Sequence, residues 1–191
     1  MTDKSPSQDT MSPTTPPVSD QMTLAGALQA ELFRRSLMLA SAESLTGGRL
    51  GDVLSAAPGA SDTYLGGVVS YATEVKQKVL GVSAETVEKH GVVSAECAEE
   101  MATGVRDLVD ADYAVSTTGV AGPTTQEDKP VGLVYIGVAG PDGVRTERFQ
   151  FDGGRAEIRE KVVKAAIDLV LETVMASGEA SDAGMKGAGE G

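Results

Sequence analysis

Short apolar runs alternate along this chain with longer stretches in which apolar residues recur at helical spacing, and that alternation restricts it to strands joined by helices. The pattern is sharpest where Leu37 to Ala42, read as a strand, runs through Glu43-Ser44-Leu45-Thr46-Gly47-Gly48 into a helical stripe of Leu50, Val53 and Leu54. Adjacent glycines admit backbone conformations that a side chain would block, and a helix start presents free N–H groups. A strand, a glycine turn and a helix in that order form a place where an anion or a developing oxyanion is stabilised. A plain helix cap at Ser44 or Thr46 is the competing reading.

The same logic orders the rest. Leu24, Leu28 and Leu32 mark a helix from about Met22 to Arg35, and Pro58-Gly59 ends the helix after the Ser44 turn. Gly67 to Tyr71 reads as a second strand. Thr73 is placed as the N-cap of a short helix through Leu80, and Ser83 as the cap of another that stops at Gly91. Ser94 opens a longer helix with Cys97, Met101, Val105 and Leu108 on one face. Tyr113 to Thr118 is a third strand, entering Gly119-Val120-Ala121-Gly122-Pro123. Gly132 to Ala139 and Val144 to Phe151, joined by Pro141-Asp142-Gly143, form an antiparallel hairpin, and Ala156 to Val174 is the closing helix. The expected fold is an α/β, three-layer α/β/α sandwich with a mixed, mostly parallel sheet.

At 191 residues, with 41% of them hydrophobic, the chain holds one core rather than two. That core is expected over residues 22–175. Residues 1–21 and 176–191, rich in Ser, Thr, Pro, Gly and Ala, are expected to be disordered tails. A net charge of −12 argues against direct binding of nucleic acid or an anionic membrane surface, so a small anionic ligand would need a local positive pocket. Cys97 is the only cysteine, which excludes an internal disulfide and a cysteine-rich zinc site and suits a reducing cytoplasm. No segment approaches the ~20 apolar residues of a membrane helix, and the N-terminus lacks a signal peptide's apolar core.

Three strands deliver polar groups to the carboxyl edge of the sheet, where ligands of such folds bind. These are Ser44 and Thr46 after the first, Tyr71 and Lys76 after the second, and Thr118-Gly119 after the third. If Thr73 caps its helix, Lys76 stands in the first turn, where the dipole disfavours its charge. A neutral lysine beside a serine can serve as general base for attack on an acyl carbon, with the N–H groups after Ser44 holding the oxyanion. A solvated surface charge beside Lys78 is the competing reading of Lys76. Arg155 and Arg159, near the start of the last helix, suit either a phosphate or surface carboxylates. His90, without a second histidine, and Cys97, among alanines, read as structural.

Taken together, Ala42 to Gly48, Ser70-Tyr71-Ala72-Thr73-Glu74-Val75-Lys76, Thr118 to Pro123 and Lys129-Pro130-Val131-Gly132 resemble the CinA C-terminal domain family, the nicotinamide-nucleotide amidases. The resemblance runs in order from about Met22 to Val174. It implies hydrolysis of the carboxamide of nicotinamide mononucleotide to nicotinic acid mononucleotide and ammonia, with no metal and no cofactor. Mapped onto this chain, Ser44 is the nucleophile, Lys76 the base, and Tyr71 assists or orients them. Thr46, Gly47 and Gly48 would supply oxyanion donors, Thr118, Gly119 and Gly122 would line the nucleotide, and Arg155 would meet its phosphate. Leu45 stands where many members carry cysteine, Thr73 where many carry asparagine, and Thr124-Thr125-Gln126-Glu127 where many have a glycine-rich run. The resemblance concerns the C-terminal domain, so nothing tied to the larger N-terminal domain of the two-domain form is carried over. A non-catalytic nucleotide-binding or regulatory module, linked to competence or DNA damage, is the alternative from another class. A homo-oligomer is expected.

Overall fold

The computed structural model describes residues 20–186. Its elements are α1 (Asp20–Arg35), β1 (Leu39–Glu43), α2 (Arg49–Ala56), a short 3-10 turn (Ala60–Asp62), β2 (Tyr64–Val69), α3 (Thr73–Leu80), α4 (Ala84–His90), α5 (Ala95–Val109), β3 (Tyr113–Gly119), β4 (Leu133–Gly140), β5 (Gly143–Gln150) and α6 (Arg155–Lys186).

The five strands lie in the order β2-β1-β3-β4-β5. β1 pairs in parallel with both β2 and β3, whereas β4 is antiparallel to β3 and to β5. Four strands therefore run one way and β4 alone is reversed, as a hairpin at the end of a parallel sheet requires.

Strand alternation divides the core into two layers. Leu39, Val115 and Val134 face α1, α2 and α6, whose Leu28, Leu32, Leu50, Leu54, Ile158, Val162 and Val170 are fully buried against them. Ala40, Ala42 and Ala114 face the other way, onto Cys97, Met101 and Val105 of α5 and Leu80 of α3. Small residues on that face let α5 come close: a Cβ on Gly137 would stand 2.7 Å from the Ala98 carbonyl oxygen. The expected three-layer α/β/α sandwich is thus present.

Local departures have identifiable causes. β2 begins at Tyr64, not Gly67, because its register to β1 shifts between Leu39 and Ala40, where Gly66 takes φ 135°. It ends before Tyr71, since Ser70 N–H makes the last ladder bond, 2.7 Å to the Glu43 carbonyl. Ala72, not Thr73, is the N-cap of α3, and no side chain caps that end. Ser83 and Ser94 do cap α4 and α5, accepting from Thr86 N–H at 3.0 Å and Cys97 N–H at 3.1 Å. Leu108, expected on the buried stripe of α5, falls in its last turn and is 53% exposed. α6 continues to Lys186, through residues assigned to the C-terminal tail, while residues 1–19 and 187–191 of the two expected tails lie outside the described residues.

β1 connects to β2 on one side, and β3 connects to β4 on the other. The chain therefore parts at the carboxyl ends of β1 and β3, leaving a crevice there.

Candidate active site

Ser44 is the first residue after β1, and its N–H donates to the Thr117 carbonyl of β3 at 3.0 Å, which pins the turn across the crevice. Thr46 is fully buried, with its hydroxyl 2.8 Å from that of Thr117. Glu43, 2% exposed, turns its carboxylate into the start of α2. It accepts from the N–H groups of Gly48 at 2.9 Å, Leu50 at 3.1 Å and Gly51 at 2.7 Å. This carboxylate complements the helix dipole and occupies the N–H groups that the sequence offered to a ligand.

The oxyanion assignment is corrected accordingly. Thr46, Gly47 and Gly48 do not line the cavity beside Ser44. The Gly48 N–H goes to Glu43 and the Gly47 N–H to the Ser44 carbonyl at 3.2 Å. Among the described residues the N–H groups of Leu45 and Thr46 have no acceptor, and Leu45 does line the cavity.

Lys76 enters from the other side. It is the fourth residue of α3, is 1% exposed, and belongs to a helix that packs against α5. Its Nζ donates to Ser44 Oγ at 2.9 Å, to the Ser70 carbonyl at 2.6 Å and, more weakly, to the Tyr71 carbonyl at 3.5 Å. The surface-charge reading therefore fails. Burial pushes its ammonium below the ordinary lysine value, while the charges of Cys97 and Glu127 pull weakly the other way. The largest cause is desolvation by packing.

Ser44, Lys76, Tyr71, Thr118, Gly119, Gly122 and Arg155 line one cavity of about 360 Å³, with Thr73, Val92, Val93 and Thr124 to Gln126 completing its wall. That volume lies within the usual range for small-molecule sites. Lys76 and Arg155 are its only charged side chains, so a chain of net charge −12 surrounds a positive pocket. Tyr71 is 61% exposed at the rim, and its hydroxyl accepts from Arg155 Nη2 at 3.0 Å. The phenol thus bonds the arginine, and only the backbone of Tyr71 approaches the lysine. Arg155 Nη1 donates to the Gly122 carbonyl at 2.8 Å, next to a cis peptide bond at Pro123. Thr118, almost fully buried, donates its hydroxyl to the Val92 carbonyl, joining the β3 edge to the opposite wall.

Some residues that build the site lie in stretches the sequence singles out without giving their side chains a role. Glu127 and Asp128 form a two-residue turn with φ 52° and 57°, closed by reciprocal backbone bonds between Gln126 and Lys129. The Glu127 carboxylate accepts from Val92 N–H at 3.0 Å and Val93 N–H at 3.2 Å. Lys129 Nζ donates to the carbonyls of His90 at 2.8 Å and Val93 at 2.6 Å. These bonds tie the 124–126 wall to the segment between α4 and α5. An acidic residue in a loop looks solvated in sequence, and only its long-range partners reveal the anchor.

His90 is half exposed beside Glu96, 3.3 Å away, and Cys97 is fully buried with its thiol pushed up to about 11 by burial, as suits structural residues. Among the described residues, no group of His, Cys, Asp and Glu is arranged to hold a metal ion, and no helix is long and apolar enough to cross a membrane.

Known proteins share both the sequence and this architecture. The model of the CinA C-terminal domain matches residues 21–174. A CinA-like protein of Frankia casuarinae is 50% identical over 148 residues, covering 78% of this chain and 34% of that protein. One from Thermosynechococcus vestitus is 45% identical over 161 residues, covering 82% and 39%. The chain spans a little over a third of the length of these curated relatives. Among solved structures, a competence-damaged protein (CinA) superfamily member from Klebsiella pneumoniae superposes with a TM-score of 0.80 at 34% identity, over 82% of this chain and 99% of that one. Another from Escherichia coli gives 0.79 at 33%, over 81% and 92%.

Proposed function

Because the chain belongs to the CinA C-terminal domain family, and because a buried amine meets a serine hydroxyl in its positive cavity, we propose that it hydrolyses the carboxamide of nicotinamide mononucleotide. The products are nicotinic acid mononucleotide and ammonia. The observation that carries this reading is the 2.9 Å contact between Lys76 Nζ and Ser44 Oγ.

A neutral Lys76 has two N–H bonds and one lone pair. The Ser70 and Tyr71 carbonyls can only accept, so they take the two N–H groups and leave the lone pair for the Ser44 hydroxyl. Ser44 Oγ then bonds to the amide carbon as its proton passes to Lys76. The carbonyl oxygen becomes an oxyanion, for which the unengaged N–H of Leu45, which lines the cavity, is the available donor. The residue after the nucleophile is where turns between a strand and a helix place such a donor. Lys76 returns the proton to the amide nitrogen, the C–N bond breaks and ammonia leaves. Water attacks the ester and gives one proton to Lys76, which passes it to Ser44 Oγ as the C–O bond to serine breaks; the acid leaves as its carboxylate, its remaining proton going to solvent, with the Ser44 hydroxyl and neutral Lys76 restored. Protonated Lys76 keeps three acceptors around it, which hold the proton between the two transfers while burial favours giving it up.

Arg155, the cavity's permanent cation, accounts for the substrate's charge. Arg155 is held by neutral partners, Gly122 and Tyr71, so its guanidinium is available to a phosphate.

The test is ammonia release from nicotinamide mononucleotide by the purified chain, with Ser44→Ala as control. Release by wild type and not by the variant is the expected result. Binding of the nucleotide with no ammonia from either would replace hydrolysis with the alternative reading, a non-catalytic nucleotide-binding or regulatory module.

A further inference from the structure

Arg159 lies one turn beyond Arg155 on α6 and does not line the cavity. Its Nη2 donates to the Thr46 carbonyl, and its guanidinium comes so near Gly47 that a Cβ there would sit 3.2 Å from Nη2. Gly47 has φ 58°, so the turn is open to this approach in both conformation and space. No carboxylate pairs with Arg159 among the described residues. The adjacent acids are engaged elsewhere: Glu157 accepts from Gly154 N–H at 2.8 Å, and Glu160 stands 3.6 Å from Arg49. Arg159 Nε is buried with no acceptor.

A guanidinium that gives up one buried donor and has no counter-ion is a poor packing element, and such an outlier calls for a functional reason. We infer that Arg159 is a positioning residue for the Ser44 turn. Its bond to the Thr46 carbonyl fixes the peptide that follows the Leu45 and Thr46 N–H groups, and its unneutralised charge raises the positive potential where the oxyanion forms. Gly47 is the opening through which it acts. This inference rests on the reading of Ser44 as nucleophile but is independent of the substrate.

Labelling of the full chain by a fluorophosphonate, followed by intact mass, isolates it. In that reaction Ser44 Oγ bonds to phosphorus, fluoride leaves with its bonding pair, and the hydroxyl proton passes to Lys76. Wild type should label and Ser44→Ala should not. Arg159→Gln should label at least about tenfold more slowly while its circular dichroism remains that of wild type. Arg159→Lys, which keeps a cation and guards against misfolding, should fall between them. Added methylguanidinium should restore much of the rate to Arg159→Ala and leave wild type unchanged, a recovery that a purely structural role would not give. In the ammonia assay the loss should appear in kcat rather than KM. Labelling of Arg159→Gln within about twofold of wild type overturns the inference, as does failure of methylguanidinium to rescue Arg159→Ala. If wild type does not label, the nucleophile reading falls and this falls with it. A defect confined to the Arg159 variants leaves the nucleophile standing.

Discussion

Lys76 Nζ and Ser44 Oγ stand 2.9 Å apart although they come from different crossovers, the serine from the turn after β1 and the amine from the helix after β2. Their meeting depends on the parallel pairing of β1 with β2, which sets the carboxyl ends of the two strands side by side. Ser70, the first residue after β2, completes the arrangement by holding the amine through its carbonyl at 2.6 Å.

If the pair works as a unit, Ser44→Ala and Lys76→Ala should each lower kcat roughly a thousandfold or more. The double variant should be no worse than the poorer single one. Steady-state ammonia release on the three proteins checks this, and multiplicative losses would mean that the two groups act separately.

Burial lowers the Lys76 pKa from 10.5, so the active neutral form is gained as pH rises through a limb that lies below that value. A kcat/KM profile for wild type should show that ascending limb, and Lys76→Arg should be inactive throughout it.

The same shift is linked to stability. Between the folded and unfolded pKa values the unfolded chain binds more protons, so this group makes the protein more stable as pH rises and costs most at lower pH. Lys76→Met, which removes the buried cation, should melt higher than wild type at pH 7 by roughly 2–4 °C, with the gap closing towards pH 10.5. Melting curves across that range provide the measurement, and a constant gap would assign the difference to packing.

Arg155→Ala should raise KM for nicotinamide mononucleotide by about 10- to 100-fold with kcat within several-fold of wild type, the size of a lost charge-assisted contact. The phosphate-free nucleoside should be turned over equally by both proteins. A loss common to nucleotide and nucleoside would move the phosphate elsewhere.

Glu127→Ala removes the acceptor for Val92 and Val93 N–H and should cost about 1–3 kcal/mol in urea unfolding. Because the 124–126 wall loses its anchor, KM should rise with it, while fluorophosphonate labelling of Ser44 stays near wild type.

Much of this was legible in the chain because the signals were local. The strand and helix order followed from hydrophobic period, Ser83 and Ser94 capped where they were read to cap, and Ser44 preceded a glycine turn. Lys76 was the harder case. Its helical position could be read, but its burial is settled only once α3 packs against α5 and the strands are in place. Glu43 illustrates the limit most clearly. It belongs to the same short motif as Ser44, yet a carboxylate's neighbours decide whether it faces solvent or three N–H groups, and those neighbours are set only when β1 and α2 are in place. The extent of α6 was missed for the opposite reason: alanine, glutamate and lysine support a helix where Gly and Ser had suggested a tail.

That inward-facing carboxylate decides how an anion can arrive. Many nucleotide-binding sheets cradle phosphate on the helix that follows their first strand, but here the berth is already filled from within by the protein's own negative charge. On the proposed reading a phosphorylated guest docks on the far bank of the crevice, against the Arg155 guanidinium rather than helix amides, and should therefore be held more loosely as salt increases.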